Sequence, residues 1–306
     1  VLEIPPLDQP AGYAAWRDRK IAGYPESVDQ LIVEVRDPRR LDRLELAAIA
    51  DRLRRANMAV YASACGELED KEIPRALGRQ FGLERLDPNW LADDDSVSSI
   101  AVRDGEAHGE FIPYTNRAIR WHTDGYYNPS ERCIRAFVLH CVRSAAVGGE
   151  SMLLDHEMAY LMLRDENPDW VRALMRSDAM TIPERIDAGI VARAAQTAPV
   201  FSLDAGGMLH MRYTARTISI GWADDADTAG AVGRLAQWFT GETPYALRVR
   251  LESGMGVICN NVLHTRAAFN DTPQHPRLLY RARYYDRVGS ISSNAADLPR
   301  HGIRNA

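Results

Sequence analysis

The sequence predicts a mostly β fold with helical additions, an α+β chain forming one β-rich unit. Short runs of β-branched and aromatic residues recur from Ala59-Val60-Tyr61 to Leu278–Tyr285, each the length of a strand. Only a few segments carry apolar residues at helical spacing. The best candidate for chemistry, His122-Thr123-Asp124, lies in the stretch Ile119–Tyr127, whose first five residues suit a strand.

In chain order, residues 1–30 hold Pro5, Pro6, Pro10 and Pro25 among polar groups and read as an extended arm, with residues 31–306 as the core. Asp37 to Asn57 is an amphipathic helix, since Leu46, Ile49, Ala50 and Leu53 fall at i, i+3, i+4 and i+7. A short strand at Ala59–Tyr61 precedes a second helix, Ile73–Phe81, that stops at Gly82. Val97–Val102 reads as a strand and Arg103–Asn116 as a loop. The apolar run Ile134–Val142 suits a buried strand, and Val147–Ser151 turns it into Met152–Leu154. Asp155 caps a helix to about Leu163, and Pro168–Met175 is another. Pro199–Leu203 and Met208–Tyr213 form a hairpin across Asp204–Gly207. A helix over 225–240 is followed by strands at Ala246–Leu251, Gly256–Asn260 and Leu278–Tyr285. The last twenty residues are polar and read as loose. No repeat or linker divides residues 1–306, so a single domain is expected.

Composition narrows the function classes. The chain is 46% hydrophobic and 26% charged, enough for a sizeable core under a wetted surface. A net charge of −5 argues against nucleic acid or an anionic membrane as partner. No apolar run reaches the length of a membrane span, and no leader pattern opens the chain. Cys65, Cys133, Cys141 and Cys259 form no CxxC pair, so reduced thiols and a cytoplasmic location are expected. A small-molecule substrate is the expected partner, and the oligomeric state is open, a homo-oligomer included.

Side chains alternate along a strand, so His122 and Asp124 project to one side. An imidazole and a carboxylate so placed can chelate a divalent metal, and His264 in Asn260–Arg266 is the best third ligand. Two histidines and one carboxylate leave three positions of an octahedron open, the arrangement of non-haem Fe(II) oxygenases. A rival set at His108-Gly109-Glu110 lies in a glycine-containing loop and lacks a rigid strand. Arg277, Arg281 and Arg283 share parity, and three guanidiniums on one strand face repel unless anions lie among them. The alternative is an exposed face with acidic neighbours.

His122-Thr123-Asp124, the distant His264 and an arginine thirteen residues beyond it resemble the taurine dioxygenase and gamma-butyrobetaine hydroxylase superfamily. Gly148-Gly149-Glu150-Ser151 resembles the family's Gly-Gly-acidic-Thr/Ser turn. Phe137–Cys141 and Asn260-Asn261 with Leu263-His264 resemble it too. His122-Thr123-Asp124-Gly125, Met211-Arg212-Tyr213 and Asn260-Asn261 are similar to glutarate 2-hydroxylase in particular. Coverage runs from about residue 40 to 288.

The resemblance implies a double-stranded β-helix (jelly-roll) core, with Fe(II), 2-oxoglutarate and O2 as cofactor and cosubstrates. It also implies that His122, Asp124 and His264 bind iron, and that Arg277 holds the distal carboxylate of 2-oxoglutarate with Ser151 as second contact. Arg281 and Arg283 are left for a substrate anion or the cosubstrate, and Tyr114, Tyr126, Tyr127 and Tyr213 are candidates to line the pocket. The implied reaction is hydroxylation of an aliphatic C–H with release of succinate and CO2. Asp124 at the carboxylate position fits hydroxylation better than halogenation. Arg283 stands where gamma-butyrobetaine hydroxylase has a cage aromatic, which disfavours a quaternary ammonium substrate and favours a small carboxylate or sulfonate. Two other readings stay open, a zinc hydrolase on the same ligands and a non-catalytic jelly-roll protein that binds a carboxylate. The loops 103–118 and 183–198 name no substrate.

Overall fold

The structure, a computed structural model, describes residues 3–88, 95–103, 111–187, 190–204, 206–216 and 220–288. Its helices are α1 (Pro10–Gly23), α2 (Arg43–Ala56), α3 (Glu72–Gln80), α4 (His156–Glu166), α5 (Pro168–Leu174) and α6 (Ala226–Thr240). The strands that frame the site are β1 (Ile32–Val35), β2 (Met58–Ser63), β3 (Val97–Ile100), β4 (Ile119–His122), β5 (Ala136–Arg143) and β6 (Ser151–Leu154). They continue with β7 (Leu247–Val249), β8 (Met255–Cys259), β9 (Leu263–Arg266) and β10 (Leu278–Tyr284).

Among the described residues these form a six-stranded sheet, β1-β2-β8-β5-β10-β3, and a four-stranded sheet, β7-β6-β9-β4. Only β1 and β2 run parallel; the other pairs in both sheets are antiparallel. Alternation along β5 divides its two faces. Phe137 and Cys141 point into the core shared with Leu153, Leu154, Val249 and Leu263 of the smaller sheet. Ala136, Val138 and Val142 point outward, where Ile49 and Leu53 of α2 and Leu77 of α3 cover them. The two sheets therefore pack face to face as a jelly roll with helices on the outside of the larger sheet.

Local chemistry fixes the element ends. Asp42 accepts from the Leu44 and Glu45 amides while Glu45 accepts from the Asp42 amide, a capping box that starts α2 six residues later than the sequence pattern suggests. Asn57 ends it at φ 55°.

The N-terminal segment departs from the extended arm expected for residues 1–30. Pro10 sits at the start of α1, where a missing N–H costs nothing, so proline here begins a helix instead of breaking one. Trp16, 1% exposed, packs edge-on against Tyr160 of α4. Lys20 is buried too, its ammonium 2.5 Å from Asp155 and 2.6 Å from Glu157. Burial disfavours that charge, but the two carboxylates outweigh it and hold Lys20 above its ordinary pKa. The segment 183–198, expected to be a loop, and the residues just before it form short antiparallel pairings at Met180–Ile182 with Gln196–Ala198 and at Arg185–Asp187 with Ile190–Arg193.

Candidate metal centre

β4 and β9 are neighbours in the smaller sheet, and their register sets His122 directly opposite His264. The two rings lie 4.2 Å apart between centroids, with Phe137 of the facing sheet 4.9 Å from the His264 ring. His122 Nδ1 lies 2.9 Å from the Arg120 carbonyl and His264 Nδ1 lies 3.0 Å from the Val262 carbonyl. A carbonyl can only accept, so each Nδ1 carries the proton and each Nε2 keeps its lone pair. Burial, with the neighbouring His264, lowers His122 to about 3, and burial also lowers His264. Both rings are thus neutral at physiological pH, the form a metal requires.

Asp124 reaches the site by a different route from the one its spacing suggests. β4 ends at His122, and Asp124 lies in the turn that follows. Gly125 makes that turn at φ +67°, and a Cβ there would lie 2.4 Å from Ile134 Cγ1. Asn261, 1% exposed, fixes the turn from the far side of the chain. Its Oδ1 accepts from the Asp124 amide at 2.8 Å, and its Nδ2 donates to the Asp124 and Ile134 carbonyls at 3.0 and 2.6 Å.

The Asp124 carboxylate is buried. Burial alone would favour its neutral form, but Arg281 and Arg283 outweigh it and hold the group well below the usual carboxylate range. Arg281 Nη1 donates to Oδ1 at 3.1 Å. Oδ2 is buried with no hydrogen-bond partner. An orphaned carboxylate oxygen is costly unless something binds it. His122, Asp124 and His264 each offer a ligand atom within 4.8 Å of the others, the one such metal-capable group among the described residues. Two neutral imidazoles, an ionised carboxylate and a free buried oxygen fit a divalent first-row ion. The rival His108-Gly109-Glu110 lies outside the described residues.

The three arginines meet different partners. Pairing of β10 with β5 slips between Leu278 and Leu279, which face Arg143 and Cys141. Arg277 precedes that slip and is buried over the Phe269 ring at 4.9 Å. A Cβ at Gly149 would lie 3.7 Å from its Nε, so the Gly148-Gly149 turn forms part of the Arg277 surroundings. Arg277 has no ion-pair partner among the described residues, and burial lowers its pKa. Ser151, at the start of β6, is half-buried. Arg281 serves Asp124. Arg283 is ion-paired with buried Asp87 and donates to the Tyr127 hydroxyl at 3.2 Å. Its charge is matched within the protein, so the repulsion expected for a quaternary ammonium at this position does not follow.

Tyr126 and Tyr127 are half-buried and meet edge-on at 5.2 Å, directly after the Asp124 turn. Tyr213 is 3% exposed and packs against Phe239 and Trp222. Tyr114 is buried. Sequence reasoning missed the parts played by Asn261 and Asp87, whose contacts reach across 137 and 196 residues.

The model of the taurine catabolism dioxygenase TauD, TfdA family matches residues 32–283. A uridine-5'-phosphate dioxygenase of an Amycolatopsis species is 34% identical over 169 residues, 54% of this chain and 60% of that protein. One of a Streptomyces species is 30% identical over 219 residues, 68% of this chain and 76% of that protein. Among solved structures, a taurine dioxygenase from Burkholderia xenovorans shares the fold with a TM-score of 0.55 and 19% identity, covering 85% of this chain and 89% of its own. Among the described residues no helix is long and apolar enough to cross a membrane. A family match across most of the chain decides membership: this protein belongs to the taurine catabolism dioxygenase TauD, TfdA family and is a dioxygenase that uses Fe(II), 2-oxoglutarate and O2.

Proposed function

We propose that this dioxygenase hydroxylates an aliphatic C–H of a small anionic substrate. One oxygen atom of O2 goes to the substrate carbon and the other to 2-oxoglutarate, which leaves as succinate and CO2. The observation that carries the reading is the convergence of His122, His264 and the partnerless Asp124 Oδ2 between the two sheets.

In this reading His122, Asp124 and His264 hold the Fe(II), which when bound supplies the oxidising chemistry. The chain's residues do the positioning. Arg281 keeps Asp124 ionised and turned, with one oxygen engaged and the other free. Arg277, buried and with no direct ion pair among the described residues, takes the distal carboxylate of 2-oxoglutarate, with the Ser151 hydroxyl as second contact. Arg283 is occupied by Asp87 and sets the Tyr127 hydroxyl, so it acts on the substrate side through Tyr127. Tyr126 and Tyr127 line the substrate side, and Tyr213 backs the pocket from the core.

The relatives' names support a phosphate-bearing molecule, such as a nucleoside monophosphate, within the anionic class. Purified protein reconstituted with Fe(II) without oxygen, then given O2 and 2-oxoglutarate, tests the proposal. Succinate formation should accelerate with uridine 5'-phosphate or another small acid and yield equimolar oxidised product. His122→Ala should abolish it. No acceleration by any phosphate, carboxylate or sulfonate would reject the substrate class.

A further inference from the structure

Buried arginines in this protein are mostly satisfied by the chain itself. Arg212 donates to the carbonyls of Tyr126, Met180, Gln196 and Ala198, and Arg164 to those of Pro5 and Pro6. Arg193 is half-buried and less completely satisfied. It ends the strand pair Arg185–Asp187 and Ile190–Arg193, and its guanidinium carbon lies 5.9 Å from the centroid of the Tyr127 ring. Nη2 donates to the Pro183 carbonyl at 2.7 Å, while Nη1 is buried with no partner.

Arg216 stands nearby and is exposed, its Nη1 3.4 Å from the Tyr126 hydroxyl. Among the described residues neither Arg193 nor Arg216 has a carboxylate in ion-pair range. Burial disfavours the Arg193 charge, and Arg185 and Arg216 add repulsion. Two guanidiniums beside one tyrosine pair, with no acid between them among the described residues, are held together at a cost that an anion would offset.

This patch adjoins the metal centre. Tyr126 and Tyr127 follow Asp124 within the same turn. The Tyr127 hydroxyl accepts from Arg283, two residues beyond the Arg281 that holds Asp124. An anionic group seated on Arg193 and Arg216 would lie beside the Tyr126 and Tyr127 rings, which follow Asp124 in the same turn.

Resting on the oxygenase reading above, we infer that Arg193 and Arg216, flanking the Tyr126–Tyr127 pair, form the subsite for the phosphate group of a phosphate-monoester substrate. Charge matching selects phosphate over carboxylate. A phosphate monoester brings between one and two negative charges at neutral pH and three acceptor oxygens. That suits two guanidinium forks, whereas a carboxylate would leave one of them uncompensated.

The test is calorimetric titration of the Fe(II)- and 2-oxoglutarate-loaded enzyme, kept free of oxygen, with uridine 5'-phosphate, ribose 5-phosphate, uridine and propanesulfonate. The enzyme should bind at least one of the two phosphates and should bind uridine and propanesulfonate far more weakly. Arg193→Gln and Arg216→Gln should each weaken that phosphate by about tenfold or more, the loss of one charge-assisted contact. Arg193→Lys should recover part of it. The affinity for 2-oxoglutarate should not move in any variant. Arg216 is exposed, so its variant keeps the test open if Arg193→Gln fails to fold. Unchanged phosphate affinity in both glutamine variants would overturn the assignment, as would uridine or the sulfonate binding as tightly as the phosphates. Failure of the oxygenase reading would appear separately, as intact phosphate binding with no succinate when oxygen is admitted.

Discussion

Asn261 grips the backbone of Asp124 from both sides, accepting from its amide at 2.8 Å and donating to its carbonyl at 3.0 Å. Asn261 lies three residues before His264, so one side chain ties the turn that carries the carboxylate to the strand that carries the second imidazole. It touches no ligand atom and acts as a positioning residue. Asn261→Ala should therefore weaken Fe(II) or Mn(II) binding by about 10–100-fold, the usual cost of losing a group that orients a ligand. Competition with a chelating dye measures this, and far-ultraviolet circular dichroism confirms the fold. Metal affinity within a factor of two of the parent would mean the turn holds itself.

Arg277 is buried over Phe269, with Asp271 acting on it only from further off and no carboxylate in ion-pair range among the described residues. If 2-oxoglutarate supplies that carboxylate, Arg277→Gln should raise the apparent KM for 2-oxoglutarate by about 10–100-fold, from a charge-assisted contact of roughly 1.5–3 kcal/mol. Metal affinity should stay the same, because Arg281, not Arg277, contacts Asp124. A steady-state series in 2-oxoglutarate at saturating metal measures it. An unchanged KM would remove Arg277 from the cosubstrate.

The metal group was legible in the sequence because His122 and His264 sit on strands, where one register brings them face to face. The spacing of His122 and Asp124 points to two side chains that the structure brings together, but for an incomplete reason. The strand stops at His122, and a Gly125 turn held by a side chain 137 residues away aims the carboxylate. Parity groups Arg277 with Arg281 and Arg283 but does not show that they meet different partners, the Phe269 ring for Arg277, Asp124 for Arg281 and Asp87 for Arg283. The N-terminal prolines suggest an extended arm, whereas Pro10 opens a helix whose docking depends on Trp16 and Lys20 meeting α4. Within 180–198 the strands are only three or four residues long, too short for a period to emerge.

Lys20 joins α1 to the start of α4 through Asp155 and Glu157, all three side chains being nearly inaccessible. Asp155 also accepts from Asn57 Nδ2 at 3.0 Å, so the ammonium completes a buried network. Lys20→Met keeps the length of the side chain but leaves two buried carboxylates without their cation. The expected cost is about 3–5 kcal/mol of folding stability. A lower midpoint in urea at pH 7, with unchanged slope, would show it. A loss below about 1 kcal/mol would mean that water enters and solvates the pair.

His140 gives the fold an acid limit independent of the metal site. Its ring is buried on the outward face of β5, Nδ1 lies 3.0 Å from the Tyr61 hydroxyl, and Nε2 has no partner. Burial lowers its pKa to about 4. The unfolded chain takes up this proton near pH 6.5, at higher pH than the folded one, so protonation favours unfolding. The stability tied to a neutral His140 is complete above about pH 6.5 and drains away as pH falls from there to about 4, a change of about 3 kcal/mol. His140→Gln removes the titration, so the stability difference between parent and variant should shrink or reverse by that amount between pH 7 and pH 4. Urea unfolding at half-unit steps measures the difference. A gap that stays constant with pH would show that His140 titrates alike in the folded and unfolded chain.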